Sequence, residues 1–395
     1  MSESDNAARL EARLAAELEE IAAAGLSRRR RILNTPCGRL AHVDGREVIN
    51  FASNDYLGLG GNTAIAQAMA EGALAWGPGS GASHLVSGHL APHEAIEAAL
   101  AEFVGFPRTL TFSTGYLANL AVTPTFAGRG DAVFADKLNH ASLIDAMQLA
   151  KANGAEVSRY PHNDLATLER QLQQSQARNK LIVTDSVFSM DGDLAMLPQL
   201  FNLAEQYDAW LVIDDAHGFG ILGPHGEGSL KHFGLPASPR ILLMGTLGKA
   251  AGVGGAFVAG SALAIETLLN KGRSYIFTTA APPAIACALL RSLQIIREGD
   301  PLRAQLFANI ARLRDGLSGL PWRLLPSATA IQPLIVGDNE AAVSLSQTLW
   351  ERGLWTPAIR PPTVPRGTAR LRICVSAAHS SADIDLLVAT LKELS

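Results

Sequence analysis

The sequence has few cysteines. Cys37, Cys287 and Cys374 are the three cysteines among 395 residues. They lie far apart, without a CxxC pair or the cysteine and histidine spacing of a zinc site. We therefore expect neither a disulfide framework nor a metal site, and we predict a reducing compartment.

The sequence also lacks a long apolar run and an excess of one charge. It has 33 basic and 37 acidic residues, and its only dense basic run, Arg28 to Arg31, is too short for a nucleic-acid groove. No segment offers about 18 uncharged apolar residues. Charges interrupt every apolar stretch of the first 25 residues, which predicts a solvated helix. We expect a cytoplasmic protein that binds neither nucleic acid nor membrane.

The order of sequence patterns predicts an α/β fold. At 395 residues the chain exceeds what one hydrophobic core usually holds, so about two domains are expected. From about residue 62, short apolar runs alternate with alanine-rich helical patterns, which is typical of a mostly parallel sheet with helices on both faces. The strands are predicted at 131–135, 180–185, 209–213, 241–244 and 254–258, and the helices near 92–104, 116–126, 141–152, 164–176 and 197–207.

The pattern changes after about residue 283. Long helices are predicted near 283–298 and 301–316, followed by strands at 331–336 and 369–375 and a helix at the end. This is typical of a smaller α+β domain. We predict an N-terminal helix and arm at 1–50, a large ligand-binding domain at 51–282 and a small C-terminal domain at 283–395.

One glycine motif suggests a different class of enzyme. Gly218, Gly220 and Gly223 form GxGxxG after a predicted strand, the pattern of a nicotinamide-dependent dehydrogenase. A dinucleotide-binding turn opens straight into a helix, whereas Pro224 and further glycines follow here, and no acidic residue stands about 20 positions on. No P-loop, HExxH or GxSxG motif is present.

Polar residues at the ends of the predicted strands are the candidates for chemistry. In open α/β sheets, ligands bind beyond the carboxyl ends of the strands. This rule selects 136–140, 186–193, 214–217 and 245–249. Lys249 lies in a glycine-dense turn where burial would lower the pKa of its amine and free it to form a Schiff base. The alternative is an exposed loop lysine.

Asp214 strengthens the case for a cofactor. It ends the apolar strand AWLVI, where a carboxylate needs a cationic partner. The ring nitrogen of pyridoxal phosphate is such a partner, and an aspartate keeps it protonated. For Asp215 a local hydrogen bond is the expected role.

Neighbouring side chains complete the candidate site. His217 could contact the phenolic oxygen of the cofactor, and His140 could stack on the ring or hold a substrate, although either alone is more often structural. Ser113 to Tyr116, entering a helix, and the Thr246 hydroxyl suit a phosphate. Together these residues indicate a pyridoxal 5'-phosphate site.

Several motifs resemble the α-oxoamine synthases, a family of fold-type I pyridoxal-phosphate transferases. The resemblance runs from about residue 28 to the C-terminus, in SNDYLGL (53–59), GSGAS (79–83), VSG (86–88), FSTGYLAN (112–119), NHAS (139–142), VFSMDGD (187–193), DDAHGFG (214–220), GTLGK (245–249) and IRPPTVPRGTARLRI (359–373). The last motif is most similar to the branch that condenses L-alanine with a pimeloyl thioester in biotin biosynthesis.

The resemblance implies a role for each site residue. Lys249, His140 and Asp214 would be catalytic: Lys249 would form the Schiff base and take the α proton, His140 would stack on the ring and Asp214 would pair with its nitrogen. The remaining cofactor contacts would be Gly115, Tyr116, Ser189, His217 and Thr246. Arg372 would bind the amino-acid carboxylate, and the acyl substrate would lie near Arg28, Asn54, His140, Arg360 and Thr363.

The resemblance also implies a homodimer with its sites at the interface, so that the 278–279 segment reaches the phosphate of the second copy. The acyl donor, coenzyme A or an acyl carrier protein, stays open. His84 departs from the family pattern, since many relatives carry arginine there, which leaves donor preference open.

Other functions also stay open on the sequence. A sister synthase that uses glycine or serine shares the cofactor residues. A pyridoxal-phosphate aminotransferase or aldolase shares the fold, while the dehydrogenase rests only on Gly218. A binding module without catalysis leaves the lysine and the strand-end aspartate unexplained.

Overall fold

The structure is a computed structural model that describes residues 3–23 and 26–395. Among these residues no helix combines the length and the apolar composition needed to cross a bilayer. The first helix, α1 (Glu3–Ala23), carries the leucines Leu10, Leu14 and Leu18, which are 50%, 47% and 65% exposed. The prediction of a solvated N-terminal helix is thereby confirmed for the described residues.

The central element is a mixed sheet in which most neighbouring strands are parallel. The described residues place seven strands in it, in the order β3 (Arg108–Phe112), β9 (Ala256–Gly260), β8 (Ile241–Thr246), β7 (Ala209–Asp214), β6 (Lys180–Asp185), β4 (Ala132–Asp136) and β5 (Glu156–Tyr160). Strand β9 is antiparallel to both of its neighbours, and the other pairs are parallel. The predicted sheet is confirmed.

Both faces of this sheet are covered. In β4, Ala132 and Phe134 belong to one hydrophobic cluster, whereas Val133 and Ala135 belong to another. Successive side chains of a strand point to opposite faces, so an apolar run without alternation buries itself on both sides. The helices that precede, connect and follow these strands are α2 (Thr63–Trp76), α3 (Ala91–Val104), α4 (Gly115–Phe126), α5 (Ala141–Ala152), α6 (Leu165–Gln174), α7 (Leu197–Gln206), α8 (Ser229–His232), α9 (Ala262–Lys271) and α10 (Arg273–Ile276), with a π-helical turn at His84–Gly88 before α3.

Polar side chains set where several helices begin. Asn62 caps α2 by accepting from the amides of Ala64 and Ile65, and Thr114 caps α4 by accepting from Leu117. Each cap satisfies an amide that the first helical turn leaves unpaired. The start of α4 matters most for the site, because its first residues face the cavity described below.

The C-terminal region forms a second, smaller layer of sheet and helices. An antiparallel sheet there has the order β10 (Arg323–Leu324), β11 (Ile331–Gly337), β14 (Ala369–Cys374) and β13 (Ala358–Ile359). The helices of this region are α11 (Pro283–Arg297), α12 (Asp300–Leu317), α13 (Asn339–Glu351) and α14 (Ser381–Glu393). An α+β organisation was predicted for this region, and the structure has it.

The N-terminal arm is joined to this C-terminal layer. Strands β1 (Leu40–Val43) and β2 (Arg46–Asn50) form a hairpin, and β12 (Leu354–Trp355) extends it in parallel to β2. One hydrophobic cluster also runs from Phe51 to Leu391 through the large sheet. The domain bounds therefore stay a prediction.

The topology places polar residues together at one edge of the large sheet. Asp136, Asp185 and Asp214 end the neighbouring parallel strands β4, β6 and β7, and Thr246 ends β8. The carboxyl ends of parallel strands meet at the same edge, where such folds bind ligands.

Candidate active site

A cavity of about 160 Å³ lies at this edge of the sheet. It is lined by residues from the ends of β6, β7 and β8 and the starts of α4 and α5: Gly115, Tyr116, His140, Ser142, Asp185, Asp214, Ala216, His217, Met244, Thr246 and Lys249. The structure thus brings seven of the predicted cofactor residues into one cavity, namely Gly115, Tyr116, His140, Asp214, His217, Thr246 and Lys249.

Lys249 presents its amine to this cavity from a tight loop after β8. Its Nζ lies 2.9 Å from Nε2 of His217. Burial lowers the pKa of Lys249 to about 8, against the opposing effect of the carboxyl groups of Asp214 and Asp185. At pH 7 about one-tenth of an amine with this pKa is uncharged, far more than for an ordinary lysine, and the uncharged form is the one that a nucleophile or a general base requires.

The loop that holds Lys249 depends on glycine. Gly252 has a φ of +68°, and a Cβ there would lie 2.5 Å from the carbonyl carbon of Leu59. A side chain at Gly252 would therefore be strained and would also meet backbone. The glycine-dense sequence allows the loop to lie directly against the segment 53–60.

His217 links the lysine to Tyr56. Nδ1 of His217 lies 2.6 Å from the Tyr56 hydroxyl, which donates to Oδ1 of Asn54 at 3.1 Å. Burial, with the charges of Lys249 and Arg372, holds the pKa of His217 well below its ordinary value, so the ring is uncharged. Because the Tyr56 proton goes to Asn54, Nδ1–H of His217 donates to Tyr56 and Nε2 accepts from Lys249.

Asp214 is held on the opposite side of the cavity. Its Oδ2 accepts from Nδ2 of Asn119 at 2.8 Å, and its Oδ1 accepts from the amide of Ala216 at 3.0 Å. Asn119 also donates to Ser142, at 2.9 Å. The Asp214 carboxylate is 3% exposed, so its position is set before any ligand binds.

Asp185 adds a second buried carboxyl group. Burial and the nearby charge of Asp214 hold the pKa of Asp185 well above its ordinary value, although its Oδ2 accepts from the amide of His140 at 2.7 Å. Two buried carboxyls thus face one buried amine, whose pKa is lowered. The buried Asp214 carboxylate requires a cationic partner in the cavity. The protonated ring nitrogen of pyridoxal phosphate has that charge.

His140 is positioned by the start of α5. As the N-cap residue, it accepts from the Ser142 amide through Nδ1, which also lies 2.7 Å from the Ser142 hydroxyl. Burial lowers the pKa of His140. A flat, uncharged ring fixed at a cavity wall suits stacking against a cofactor ring.

The start of α4 offers a site for an anion. Gly115 and Tyr116 are its first residues, and the amides of a first helical turn point toward an anion. The Tyr116 hydroxyl bonds Asp145. The Thr246 hydroxyl, which donates to the Gly255 carbonyl at 3.3 Å, lies in the same cavity. These groups suit the phosphate of a cofactor whose ring nitrogen points to Asp214.

Arg372 is a buried cation beside the cavity. Its Nε donates to the Ser189 carbonyl at 2.6 Å, and its Nη1 donates to Oδ1 of Asn54 at 3.2 Å. It is 6% exposed, and within residues 3–23 and 26–395 it forms no ion pair with a carboxylate. A buried guanidinium without an anionic partner is ready to bind a carboxylate. Ser189 contributes its carbonyl to this arrangement.

Three predicted acyl-site residues lie elsewhere in the single chain. Arg28 is exposed. Arg360 lines a separate cavity of about 760 Å³ with Arg29, Arg31 and Trp350, and the Thr363 amide donates to the Arg360 carbonyl at 3.0 Å in a turn. The structure does not bring these residues into the Lys249 cavity, and their role stays a prediction.

Three contributors were missed by the sequence analysis: Tyr56, Asn119 and Asp185. Tyr56 lies in SNDYLGL and Asn119 in FSTGYLAN, and Asp185 ends the predicted strand 180–185. The motifs that contain them were therefore visible in the sequence. Only the fold shows that Tyr56 contacts His217, that Asn119 contacts Asp214 and that Asp185 contacts His140.

The dehydrogenase pattern has a structural explanation. Residues 215–222 form turns, and the next helix, α8, is only four residues long. A Cβ on Gly218 or Gly228 would lie 2.1 Å from a carboxyl oxygen of Asp215. Asp215 accepts from the Ser186 hydroxyl at 2.5 Å and the Ser229 amide at 2.9 Å. The glycines thus pack around Asp215, which has a structural role as expected, although its hydrogen-bond partners lie 29 and 14 positions away rather than locally.

Comparisons with known proteins show the family of this chain. Residues 46–391 match the profile of the aminotransferase class I and II family. An 8-amino-7-oxononanoate synthase from Dechloromonas aromatica (strain RCB) is 78% identical over 98% of this chain and 100% of its own.

Two solved structures are similar over most of the chain. A serine palmitoyltransferase from S. paucimobilis with bound PLP and myriocin is 30% identical, with a TM-score of 0.89, and the match covers 96% of each chain. An 8-amino-7-oxononanoate synthase from Francisella tularensis is 30% identical, with a TM-score of 0.76, over 88% of this chain and 98% of that one.

Proposed function

Because this chain belongs to the aminotransferase class I and II family and, within it, to the 8-amino-7-oxononanoate synthases, we propose that it condenses L-alanine with a pimeloyl thioester. The products are 8-amino-7-oxononanoate, CO2 and the free thiol of the acyl donor, and the reaction serves biotin biosynthesis. The observation that carries this proposal is the arrangement of Lys249 and Asp214 in one cavity with Arg372 buried beside it, in a chain 78% identical to a named synthase.

The residues present fit pyridoxal phosphate as the cofactor. Lys249 would hold it covalently, Asp214 would pair with its ring nitrogen, and His140 would lie against its ring. The first turn of α4 and the Thr246 hydroxyl would hold its phosphate. When bound, the cofactor supplies an electron sink for the bond that breaks at the α-carbon of the amino acid.

Lys249 is the residue suited to move the α proton. Its pKa of about 8 leaves the amine able to accept a proton near neutral pH and to return it later. His217, 2.9 Å away, accepts a hydrogen bond from Nζ and so orients the amine.

Arg372 is the residue suited to select an amino acid. A carboxylate can accept two hydrogen bonds from a guanidinium, which fixes its plane as well as its position. Since the Ser189 carbonyl and Asn54 already hold Arg372, little side-chain freedom is lost when the substrate binds. Asp214, His217 and Arg372 are themselves buried, which limits the water around the reacting carbon.

The acyl donor is bound, in this proposal, near Arg28, Asn54, Arg360 and Thr363. Of these four residues, Asn54 is the one next to the Lys249 cavity, because it contacts both Tyr56 and Arg372. Either coenzyme A or an acyl carrier protein could deliver the pimeloyl group, and both present it on the same phosphopantetheine arm.

A homodimer is part of the proposal. Large apolar side chains lie exposed next to or near the 278–279 segment, among them Leu85 (48%), Val86 (79%) and Phe277 (71%). Exposed apolar groups of this size favour burial against another chain. The second copy would cover them and receive the 278–279 segment at its phosphate site. Sedimentation of the purified enzyme tests this, and a monomer at micromolar concentration would contradict it.

We place the reaction in the cytoplasm. Cys37, Cys287 and Cys374 are all free thiols in the structure. A chain that uses no disulfide suits a reducing compartment.

The decisive experiment is product identification by mass spectrometry. The purified enzyme with pyridoxal phosphate is incubated with L-alanine and either pimeloyl-CoA or a pimeloyl carrier protein. We expect 8-amino-7-oxononanoate with at least one donor, and none from Lys249→Ala. Parallel reactions with glycine and serine separate the sister synthases. Turnover with glycine or serine but not with alanine would overturn the proposal, as would a purified chain that does not bind pyridoxal phosphate.

A further inference from the structure

Three histidines outside the Lys249 cavity lie side by side, although their sequence spacing matches no metal motif. His84 starts the π-helical turn, His89 follows it and His93 lies in the first turn of α3. The ring centroids are 5.1 Å apart for His84 and His89, 5.1 Å for His84 and His93, and 5.6 Å for His89 and His93. One ring nitrogen of each lies within 4.8 Å of one in each of the others. These three residues are called the histidine cluster below.

Hydrogen bonds show which nitrogens carry protons. Nε2 of His89 lies 3.1 Å from a carboxylate oxygen of Glu94, and Nε2 of His93 lies 2.8 Å from the Ala281 carbonyl. Both partners can only accept, so each Nε2 carries the proton and each Nδ1 has a lone pair. Nδ1 of His84 lies 2.8 Å from Nδ1 of His89. One proton, on Nδ1 of His84, forms the hydrogen bond between these two nitrogens.

The histidine cluster can also be reached from solvent. His93 is 2% exposed, whereas the Glu94 side chain is 78% exposed, so the cluster reaches from the interior to solvent.

The surroundings of the cluster resemble the outer shell of a metal site. A histidine that binds a metal usually donates its second ring N–H to a carboxylate or a backbone carbonyl, which fixes the ring. The pairs of His89 with Glu94 and of His93 with Ala281 have this arrangement. Neutral imidazole nitrogens suit zinc, nickel and copper ions.

We propose that His84, His89 and His93 bind one divalent transition-metal ion, with water completing its coordination. The ion takes the Nδ1 lone pairs, and the proton that His84 shares with His89 moves to Nε2 of His84, so no net proton or electron is exchanged. Nδ1 of His93 accepts from the Leu90 amide at 3.0 Å without the ion. Binding of the ion therefore replaces this capping contact at the start of α3.

The ion would fasten one segment of the chain to another. The π-helical turn follows Ser83, which forms a bridge with Thr279. His84 also stacks on Tyr275, with ring centroids 5.0 Å apart. An ion bound by the histidine cluster would therefore hold the 278–279 segment and the start of α3 together. This site is separate from the cavity of Lys249.

Isothermal titration of the chelator-treated holoenzyme with zinc chloride tests the proposal. We expect one zinc ion per chain. His84→Ala and His89→Ala should each weaken binding at least about tenfold, since even the loss of an outer-shell partner costs about 10- to 100-fold. Glu94→Gln should weaken it about tenfold for the same reason. His232→Ala, on the exposed face of α8, is the matched control and should leave the affinity unchanged.

Cobalt absorption gives a second measurement. Visible bands should appear when Co²⁺ is added to the wild-type holoenzyme and vanish in His89→Ala. Should that variant fold poorly, Glu94→Gln replaces it, because Glu94 is exposed, and the bands should then require about tenfold more Co²⁺. Absence of saturable zinc binding, or unchanged binding in the double variant of His84 and His89, overturns the proposal. Since the readout is metal binding and not turnover, its failure would leave the proposed synthase function unaffected.

Discussion

Nζ of Lys249 lies 2.9 Å from Nε2 of His217, and the same imidazole is bound to Tyr56 on its other side. The amine is therefore oriented by an uncharged ring rather than held by a carboxylate. A carboxylate in direct contact would stabilise the charged amine and raise its pKa. The arrangement instead keeps the amine reactive.

The first prediction concerns the pH dependence of cofactor uptake. Burial lowers the pKa of Lys249 from 10.5 to about 8, so its reactive, uncharged fraction rises with pH through a midpoint near 8. We expect the rate of pyridoxal-phosphate incorporation into the apoenzyme to follow this curve, as measured by stopped-flow absorbance. Lys249→Ala should show no such phase. A midpoint near 10.5 would contradict the burial of the amine.

The second prediction concerns Asp214. In Asp214→Asn the ring nitrogen loses its anionic partner, and kcat should fall by about 10²–10³-fold, as for the removal of one electrostatic group from an active site. Steady-state kinetics measure this, with absorbance showing that the cofactor is still bound. Asp208→Asn is the control, because Asp208 is exposed and pairs with Arg240. Equal kcat values in Asp214→Asn and the wild type would refute the role of Asp214.

The third prediction separates substrate binding from cofactor binding. Arg372→Lys keeps the charge but loses the two-pronged contact, and KM for alanine should rise about 10- to 100-fold, since a hydrogen bond to a charged group contributes about 1.5–3 kcal/mol. The cofactor absorbance should not change. Arg352→Lys, on the surface with Glu393, is the control. An unchanged KM in Arg372→Lys would mean that the carboxylate binds elsewhere.

The fourth prediction concerns a charged histidine near Ser189. Against the effect of burial, the hydrogen bonds to Asp136 and Asp193 raise the pKa of His162 to about 10. Its folded-state pKa lies above the ordinary 6.5, so the stabilisation is complete below about 6.5 and is lost as pH rises through about 10.

Urea unfolding tests this with His162→Gln. The variant should lose about 1.5–3 kcal/mol of unfolding free energy near pH 6.5, the contribution of hydrogen bonds to charged groups. The difference from the wild type should shrink toward pH 10. His225→Gln, at an exposed ring, is the control. A difference that does not vary with pH would show that His162 acts without its charge.

The fifth prediction concerns the glycines around Asp215. Gly218→Ala would place a methyl group 2.1 Å from Oδ1 of Asp215, so we expect about 1–3 kcal/mol of destabilisation from overpacking. Thermal unfolding measures it. Gly38→Ala, where nothing lies within 4 Å, should be nearly neutral. Equal melting temperatures would show that Asp215 has room to move.

The central strands could be predicted because they are buried on both faces. The predicted strand 180–185 and the helix 141–152 match β6 and α5 to the residue. Strand β5 was missed, because it lies at the sheet edge and its sequence EVSRY is largely polar. Strand β3 was missed for the same reason, because it lies at the other edge of the sheet and its sequence RTLTF mixes polar and apolar residues.

Some residues of the candidate site could likewise be predicted from the sequence, and others could not. Lys249, Asp214 and His217 follow neighbouring strands, so one rule about strand ends selects them together. Tyr56 and Asn119 come from a loop and a helix that no strand-end rule covers, and they reach His217 and Asp214 only in the folded chain.

The parallel sheet, its functional edge and the residue types available there could be read from local apolar runs and from the residues that end them. Which side chains touch depends on the folded chain, because contacts between residues such as Tyr56 and His217 span 161 positions of chain. The lowered pKa of Lys249 and the histidine cluster belong to that second class, since burial and proximity come from packing and not from sequence spacing.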